Sequence, residues 1–291
     1  MFVSELQFHR PTTLQEALEI LDEQDATILA GGMSLVPAIN LGLARPETIL
    51  SLNAIGELKK FEWKPDRLCI GSMVRHCEIE QSRDIANNFR VLSEAASHIG
   101  DVQVRNRGTI GGSIAHADPG ADYLPVMLAL DASFRLVSTC GERVVRAQEF
   151  FIGVMSTARD STEILATIEL PRRESWGSAY IRLARVEGAY PIANAAADIG
   201  PQGAWVAVGG IGSRPAVVEI PVDVDAKDSE EAVAAAVERG VFTAIAEVDI
   251  IEDVTSDLEY RRSMAFVCAR RAFLTALGRA ERSRSRSGGK Q

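Results

Sequence analysis

The sequence predicts an α+β protein of two domains. Three observations carry this. The chain has 291 residues, 46% hydrophobic and 24% charged, which exceeds what one compact core ordinarily takes. Up to residue 171, short apolar strands alternate with helical patterns, whereas beyond residue 177 three strand-like runs come in succession before two helices. Between them lies Pro171 to Gly177 (PRRESWG), a polar stretch containing breakers, which sets the boundary between a domain over 1–172 and one over 177–278.

The elements follow in order. An extended piece ends at Pro11, and Thr13 with Glu16 then has capping-box spacing ahead of a helical face of Leu14, Ala17, Leu18 and Leu21. Thr27 to Ala30 is a short strand running into Gly31-Gly32; a helix begins after Ser34, with Pro37 tolerated in its first turn. Strands are expected at 48–52 and 68–74, the second interrupted by glycine. Residues 91–99 form an amphipathic helix through Leu92, Ala95, Ala96 and Ile99, closed by Gly100. Arg105 and Arg107, on a β-favouring segment, are expected to share one strand face. A helix fits 123–130 and strands fit 133–138 and 163–170. In the second domain, strands at 179–184, 193–199 and 205–211 precede a helix capped by Asp228/Glu231 and another across 258–277. The last thirteen residues, RAERSRSRSGGKQ, read as a disordered basic tail.

Charge narrows the function. The net charge is −9, and residues 1–278 alone carry −13. An acidic body without a basic stripe lacks the phosphate-neutralising surface that binds nucleic acid. No run approaches the ~18 apolar residues of a membrane span, and MFVSELQFHRP lacks the pattern of a secretory signal. A soluble, cytoplasmic protein is expected. Cys69, Cys77, Cys140 and Cys268 are dispersed, without zinc or iron–sulfur spacing, and the four histidines have no ligand spacing either, so no metal is expected on this chain.

Two glycine pairs stand in matching contexts: Ala30-Gly31-Gly32-Met33-Ser34-Leu35 and Thr109-Ile110-Gly111-Gly112-Ser113. Paired glycines permit positive φ and close ligand approach. Successive N–H groups then form an anion nest, and each serine adds a hydroxyl donor. Two such loops brought together would hold a pyrophosphate from both sides. Neither loop is GxGxxG or GxxxxGK[ST]. Because salt screens the general field beyond ~8 Å, attraction of an anion to this acidic chain must come from short-range oriented donors. Asp118 reads as a helix cap. Asp122 either shares that role or accepts hydrogen bonds from ribose or ribityl hydroxyls.

AGGMSLVP at 30–37, QVRNRGTIGGSIAHADPGAD at 103–122, EILATIELP at 163–171 and GSAYIRLAR at 177–185 closely resemble the FAD-binding medium subunit of molybdenum hydroxylases, the carbon monoxide dehydrogenase and xanthine dehydrogenase flavoprotein family. The resemblance spans nearly the whole chain. It implies an N-terminal FAD-binding domain of two α/β subdomains (PCMH-like) and a small C-terminal domain of antiparallel sheet and helices. It implies non-covalent FAD with its pyrophosphate across Ala30–Leu35 and Thr109–Ser113, Asp122 contacting the cofactor and Leu165 near the flavin. Tyr190 falls on an aromatic position that shields the isoalloxazine. The family's R-K-x-G-D-Y reads Arg185-Val-Glu-Gly-Ala-Tyr190 here, with Val186 and Ala189 departing from it.

The resemblance further implies an electron-transfer oxidoreductase subunit with no catalytic side chain of its own. A large molybdenum–pterin subunit and a small subunit with [2Fe–2S] clusters are the implied partners, in a dimer of heterotrimers. Two other readings of the same residues are a self-sufficient FAD-dependent oxidase, which needs a larger substrate domain, and a non-enzymatic module binding another phosphate ligand.

Overall fold

The computed structural model describes residues 6–221, 230–254 and 256–288, with side chains through Arg284. Strand β1 (Gln7–His9), helix α1 (Leu14–Glu23), strand β2 (Thr27–Leu29), helix α2 (Leu35–Asn40) and strand β3 (Thr48–Ser51) form a parallel three-stranded sheet in the order β1-β3-β2. Parallel neighbours need crossovers, and α1 and α2 supply them. The expected cap holds α1: Thr13 Oγ1 accepts the Glu16 N–H at 3.2 Å. Ala17, Leu18 and Leu21 are buried against Leu50, Leu52 and Ile55.

A 3₁₀ stretch leads to β4 (Phe61–Trp63) and β5 (Arg67–Gly71). Six helices follow: α3 (His76–Gln81), α4 (Arg83–Asn88), α5 (Arg90–His98), α6 (Val102–Arg107), α7 (Ile110–His116) and α8 (Tyr123–Ala129). Next come β6 (Ser133–Ser138), β7 (Gly141–Arg146), α9 (Ala147–Phe150), a hairpin of β8 (Phe151–Gly153) and β9 (Ser156–Thr157), and β10 (Ile164–Pro171). The sheet is antiparallel, in the order β4-β5-β10-β6-β7. These are the two α/β subdomains the resemblance implies.

Two local expectations are corrected here. Arg105 and Arg107 lie on helix α6, not on a strand. The Asp101 carboxylate accepts the Val104 N–H at 2.8 Å, and this cap outweighs the weak β preference of two separated valines. Arg105 pairs with Glu80 at 2.8 Å and reaches the carbonyls of Ile99 and Gly100. Asp118 is not a helix cap either: its Oδ1 accepts the Gly120 N–H at 2.8 Å, an Asx turn that folds the segment before α8.

The second unit is an antiparallel sheet in chain order, β11 (Gly177–Leu183), β12 (Ala193–Gly200), β13 (Gly203–Gly209) and β14 (Ala216–Glu219), covered by α10 (Glu230–Ile245) and α11 (Leu258–Gly288). Asp228 of the expected α10 cap lies outside the described residues. Small residues let sheet and helix approach closely. Ala195 and Ala197 share a core with Ala269, Ala272 and Ala276, and a Cβ on Gly177 would sit 2.2 Å from the Ala276 carbonyl oxygen.

The basic end departs from the disorder expected of it. Helix α11 continues through Gly288, and along it Ala280 is fully buried and Arg279 and Arg284 find partners. Arg279 pairs with Glu94 at 2.8 Å and donates to the Ser178 carbonyl, and Arg284 lies 4.5 Å from the centre of the Trp176 ring. Glu94 on α5 also accepts the Tyr180 N–H at 3.1 Å, so one carboxylate joins both ends of the second unit to the first. Glu94→Ala is expected to lower stability by about 2 kcal/mol in urea unfolding, the cost of several charge-assisted bonds at a part-buried site. An unchanged midpoint would show that these bonds are solvent-screened.

The units share a packed interface. Every residue of α8 is buried, and Tyr180, Ala196 and Ala207 belong to the same apolar cluster as Tyr123, Leu124 and Val126. The 172–176 linker is held down as well, with Arg173 at 3.6 Å from buried Asp198 and 2.7 Å from the Ala129 carbonyl oxygen.

Candidate functional site

The first glycine loop, Ala30 to Leu35, joins β2 to α2. Gly32 has φ +77°, a conformation that side-chain-bearing residues rarely adopt. Gly31 is required by a close approach: a Cβ there would lie 2.4 Å from the Arg107 carbonyl oxygen and 2.7 Å from the Gly108 Cα. The loop therefore rests directly on the backbone that leads into the second glycine pair. The N–H groups of Gly32, Met33, Ser34 and Leu35 have no acceptor among the described residues. Met33 and Ser34 are exposed. Four consecutive free donors beside a left-handed glycine are what an anion nest requires.

The second loop is built differently, which corrects an expectation. Gly111 and Gly112 do not take positive φ; they form the first turn of α7. Their N–H groups do not point outward either. Ile110 donates to the Val74 carbonyl, Gly111 to the Ser72 carbonyl, Gly112 to Thr109 Oγ1 and Ser113 to the Thr109 carbonyl. The Thr109 cap explains this, since its side chain starts the helix and draws the donors inward. Glycine is needed at these positions for space: a Cβ on Gly111 would meet Ser72 at 2.3 Å. On Gly112 it would meet Thr109 Oγ1 at 2.8 Å and the Ala30 Cβ at 3.2 Å. The two glycine pairs are thus brought into contact, the first presenting backbone donors and the second acting as its floor, with the half-buried Ser113 beside it.

Leu165 is buried in β10 at a register shift opposite Leu136. It adjoins the floor through its neighbour, since the Ala166 carbonyl accepts the Ser72 N–H and Ser72 in turn accepts that of Gly111. Tyr190, 63% exposed, packs over Gly120, where a Cβ would touch its ring at 3.0 Å, and its phenol lies near the Ser34 hydroxyl. Tyr190 therefore spans from the first glycine loop to the segment following the second.

Asp122 is placed otherwise. It is 6% exposed at the start of α8, accepts the Tyr180 hydroxyl at 2.5 Å and lies 3.3 Å from Arg182 Nε. Burial raises its carboxyl above the ordinary range, against the pull of Arg182 and the Tyr180 hydrogen bond. Asn194 donates to the Tyr180 oxygen at 3.0 Å. Sequence reading missed Tyr180, Arg182 and Asn194. The available signal was the two-residue spacing of Tyr180 and Arg182, which puts both on one strand face.

It also missed His76, buried below the second loop. Its Nδ1 lies 3.2 Å from the Tyr123 hydroxyl, and the other edge of the ring faces Gly108, where a Cβ would sit 2.6 Å from Nε2. Burial, assisted by Arg105, lowers its pKa to about 4. Among the described residues no group of three or more His, Cys, Asp or Glu is arranged to hold a metal, and no helix is long and apolar enough to cross a membrane.

Comparison with known proteins places this architecture. Residues 4–173 match the family model described as FAD binding domain in molybdopterin dehydrogenase. Caffeine dehydrogenase subunit beta of Pseudomonas sp. (strain CBB1) is 33% identical over 93% of this chain and 94% of its own. The carbon monoxide dehydrogenase medium chain of Hydrogenophaga pseudoflava is 32% identical over 96% of this chain and 99% of its own. A solved structure of carbon monoxide dehydrogenase from that organism, lacking the Mo-pyranopterin moiety, superposes with a TM-score of 0.85 over 96% of this chain and 99% of its counterpart, at 32% identity. Glycine loops in contact, an α+β fold matched along nearly its full length and a family model spanning more than half the residues agree: the chain belongs to the family of FAD-binding subunits of molybdopterin dehydrogenases, and is an oxidoreductase component.

Proposed function

We propose that this chain holds FAD across its two glycine loops and serves as the electron-exit subunit of a heteromeric molybdenum hydroxylase. The observation that carries the reading is the run of unpaired N–H groups from Gly32 to Leu35, set on a floor that only glycine can form. A pyrophosphate fits that nest: it is a compact anion, and the nest supplies oriented donors where the acidic body supplies no attraction. Ser34 and Ser113 add hydroxyls, and Thr109 braces the floor. Tyr190, near Ser34 and packed on Gly120, would shield the flavin ring, as the family resemblance implies. Asp122 acts through the α8 terminus and its partners Tyr180 and Arg182.

Bound FAD supplies the redox chemistry, taking up electrons singly and releasing them in pairs. The polypeptide binds it, orients it and limits the access of water. The partners in this reading are a small subunit carrying [2Fe–2S] clusters and a large molybdenum–pterin subunit, the three together forming one half of a dimer of heterotrimers in the cytoplasm. What supports this is the family of the chain and the near-complete coverage of relatives named as medium or beta subunits.

Purified chain is expected to be yellow, to release FAD on mild denaturation, and to retain iron- and molybdenum-containing partners when isolated from its native cell. A colourless chain that cannot take up added FAD would overturn the cofactor assignment. A yellow chain without metal-containing partners would overturn the subunit role and leave a self-sufficient flavoprotein.

A further inference from the structure

We propose that Arg182 is a positioning residue: it sets the place of the Tyr190 ring over the cofactor loops, and through that ring the environment of the flavin. This rests on the reading of the site given above. Arg182 stands on β11 with its side chain 9% exposed, and its guanidinium reaches three separate segments. Nε lies 3.3 Å from the Asp122 carboxylate at the start of α8. Nη1 donates at 2.6 Å to the His98 carbonyl at the end of α5. Nη2 donates to the carbonyl of Ala189, the residue immediately before Tyr190.

The 184–191 loop has few other anchors. Its ends close where the Ile192 N–H meets the Leu183 carbonyl at 2.7 Å. Gly188, at φ +79°, lies against Gly100, whose carbonyl oxygen a Cβ would approach to 3.3 Å. Between these points Val186 and Tyr190 are more than 60% exposed, and the packing of the ring is one-sided, against Gly120. Beyond that packing and the turn closed by the Ala189 N–H on the Val186 carbonyl at 3.3 Å, the loop is held to the rest of the fold by the Arg182 bond to Ala189. The planar fork of arginine can serve a carboxylate and two carbonyls at once; the single ammonium of lysine cannot hold the same geometry. The Asp122 carboxylate fixes the guanidinium, which fixes the loop, and the loop presents the ring.

The test uses the full chain with fluorotyrosine incorporated at its four tyrosines, and the variants Arg182→Lys, Arg182→Gln, Tyr190→Ala and Arg182→Lys/Tyr190→Ala. Before FAD is added, the fluorine resonance of Tyr190 is expected to shift to its solvent position and sharpen in both Arg182 variants, while those of Tyr123 and Tyr260 stay in place. After FAD is added, Arg182→Lys is expected to weaken binding about tenfold, the loss of one charge-assisted hydrogen bond, and to raise the emission of bound flavin to the level of Tyr190→Ala. The double variant is expected to match Tyr190→Ala. An unmoved Tyr190 resonance, or additive effects in the double variant, would overturn the proposal. Loss of dispersion across all resonances in both Arg182 variants would overturn it in favour of a purely structural arginine. If the wild-type chain takes up no FAD, the cofactor reading fails, and the fluorine spectra still decide whether Arg182 places Tyr190.

Discussion

Gly32→Val is expected to abolish FAD retention while leaving the far-ultraviolet circular dichroism unchanged. At φ +77° a β-branched residue is strained by roughly 2 kcal/mol, and its Cβ would lie 3.2 Å from Val36 and 3.3 Å from Leu29. The loop relieves both by rotating to negative φ, which reorients the free N–H groups of residues 32–35. Loss of two charge-assisted bonds, about 1.5–3 kcal/mol each, weakens binding by about 100-fold or more. Gly42→Val is the control. Gly42 has φ +74° with open space around its Cα, so it carries the same backbone strain outside the site and should leave flavin content intact. Gly112→Val acts differently, driving a side chain between Thr109 and Ala30 and parting the two loops. Normal flavin content in both site variants would rule out the two-loop cradle.

The second large effect is a loss of stability in mild acid that traces to His76. Its folded pKa of about 4 lies below the ordinary value of 6.5, because burial disfavours the imidazolium and Arg105 adds to this. Between those values the unfolded chain binds more protons, so the contribution is complete above pH 6.5, falls as pH drops toward 4 and changes no further below. Its size is on the order of 3 kcal/mol. Asp122 and Asp198, whose carboxyls burial raises, have the opposite dependence. The decisive quantity is therefore the difference between wild type and His76→Gln in urea unfolding at pH 7.5 and pH 4.5. Wild type should lose about 2.5 kcal/mol more than the variant over that interval. Equal losses would show that His76 does not titrate across the folding transition.

Both effects bear on what could be read in advance. Strands β6 and β12 and helices α1, α5 and α8 were legible to within two residues, because capping residues, apolar periodicity and glycine stops act locally. Two glycine loops facing each other was legible as well. What failed was the conformation of the second loop. The sequence Thr109-Ile-Gly-Gly-Ser reads equally as a turn or as a capped helix start, and the choice came from Val74 and Ser72, more than thirty residues upstream, accepting its N–H groups. The basic end failed for a related reason: the partner of Arg279, Glu94, lies 185 residues away in the chain.

By itself, then, the sequence determined the α+β class, the acidic body that forces reliance on local donors, and the two glycine pairs that identify the family. These follow from composition and from interactions spanning a few residues. Tertiary structure decided which loop offers its backbone, which arginines are engaged, and that Asp122 faces Tyr180 and Arg182. Those outcomes depend on which polar groups are taken out of water together. An acceptor buried within reach of a donor must be paired wherever it lies in the chain, and no local pattern records a partner 58 residues distant.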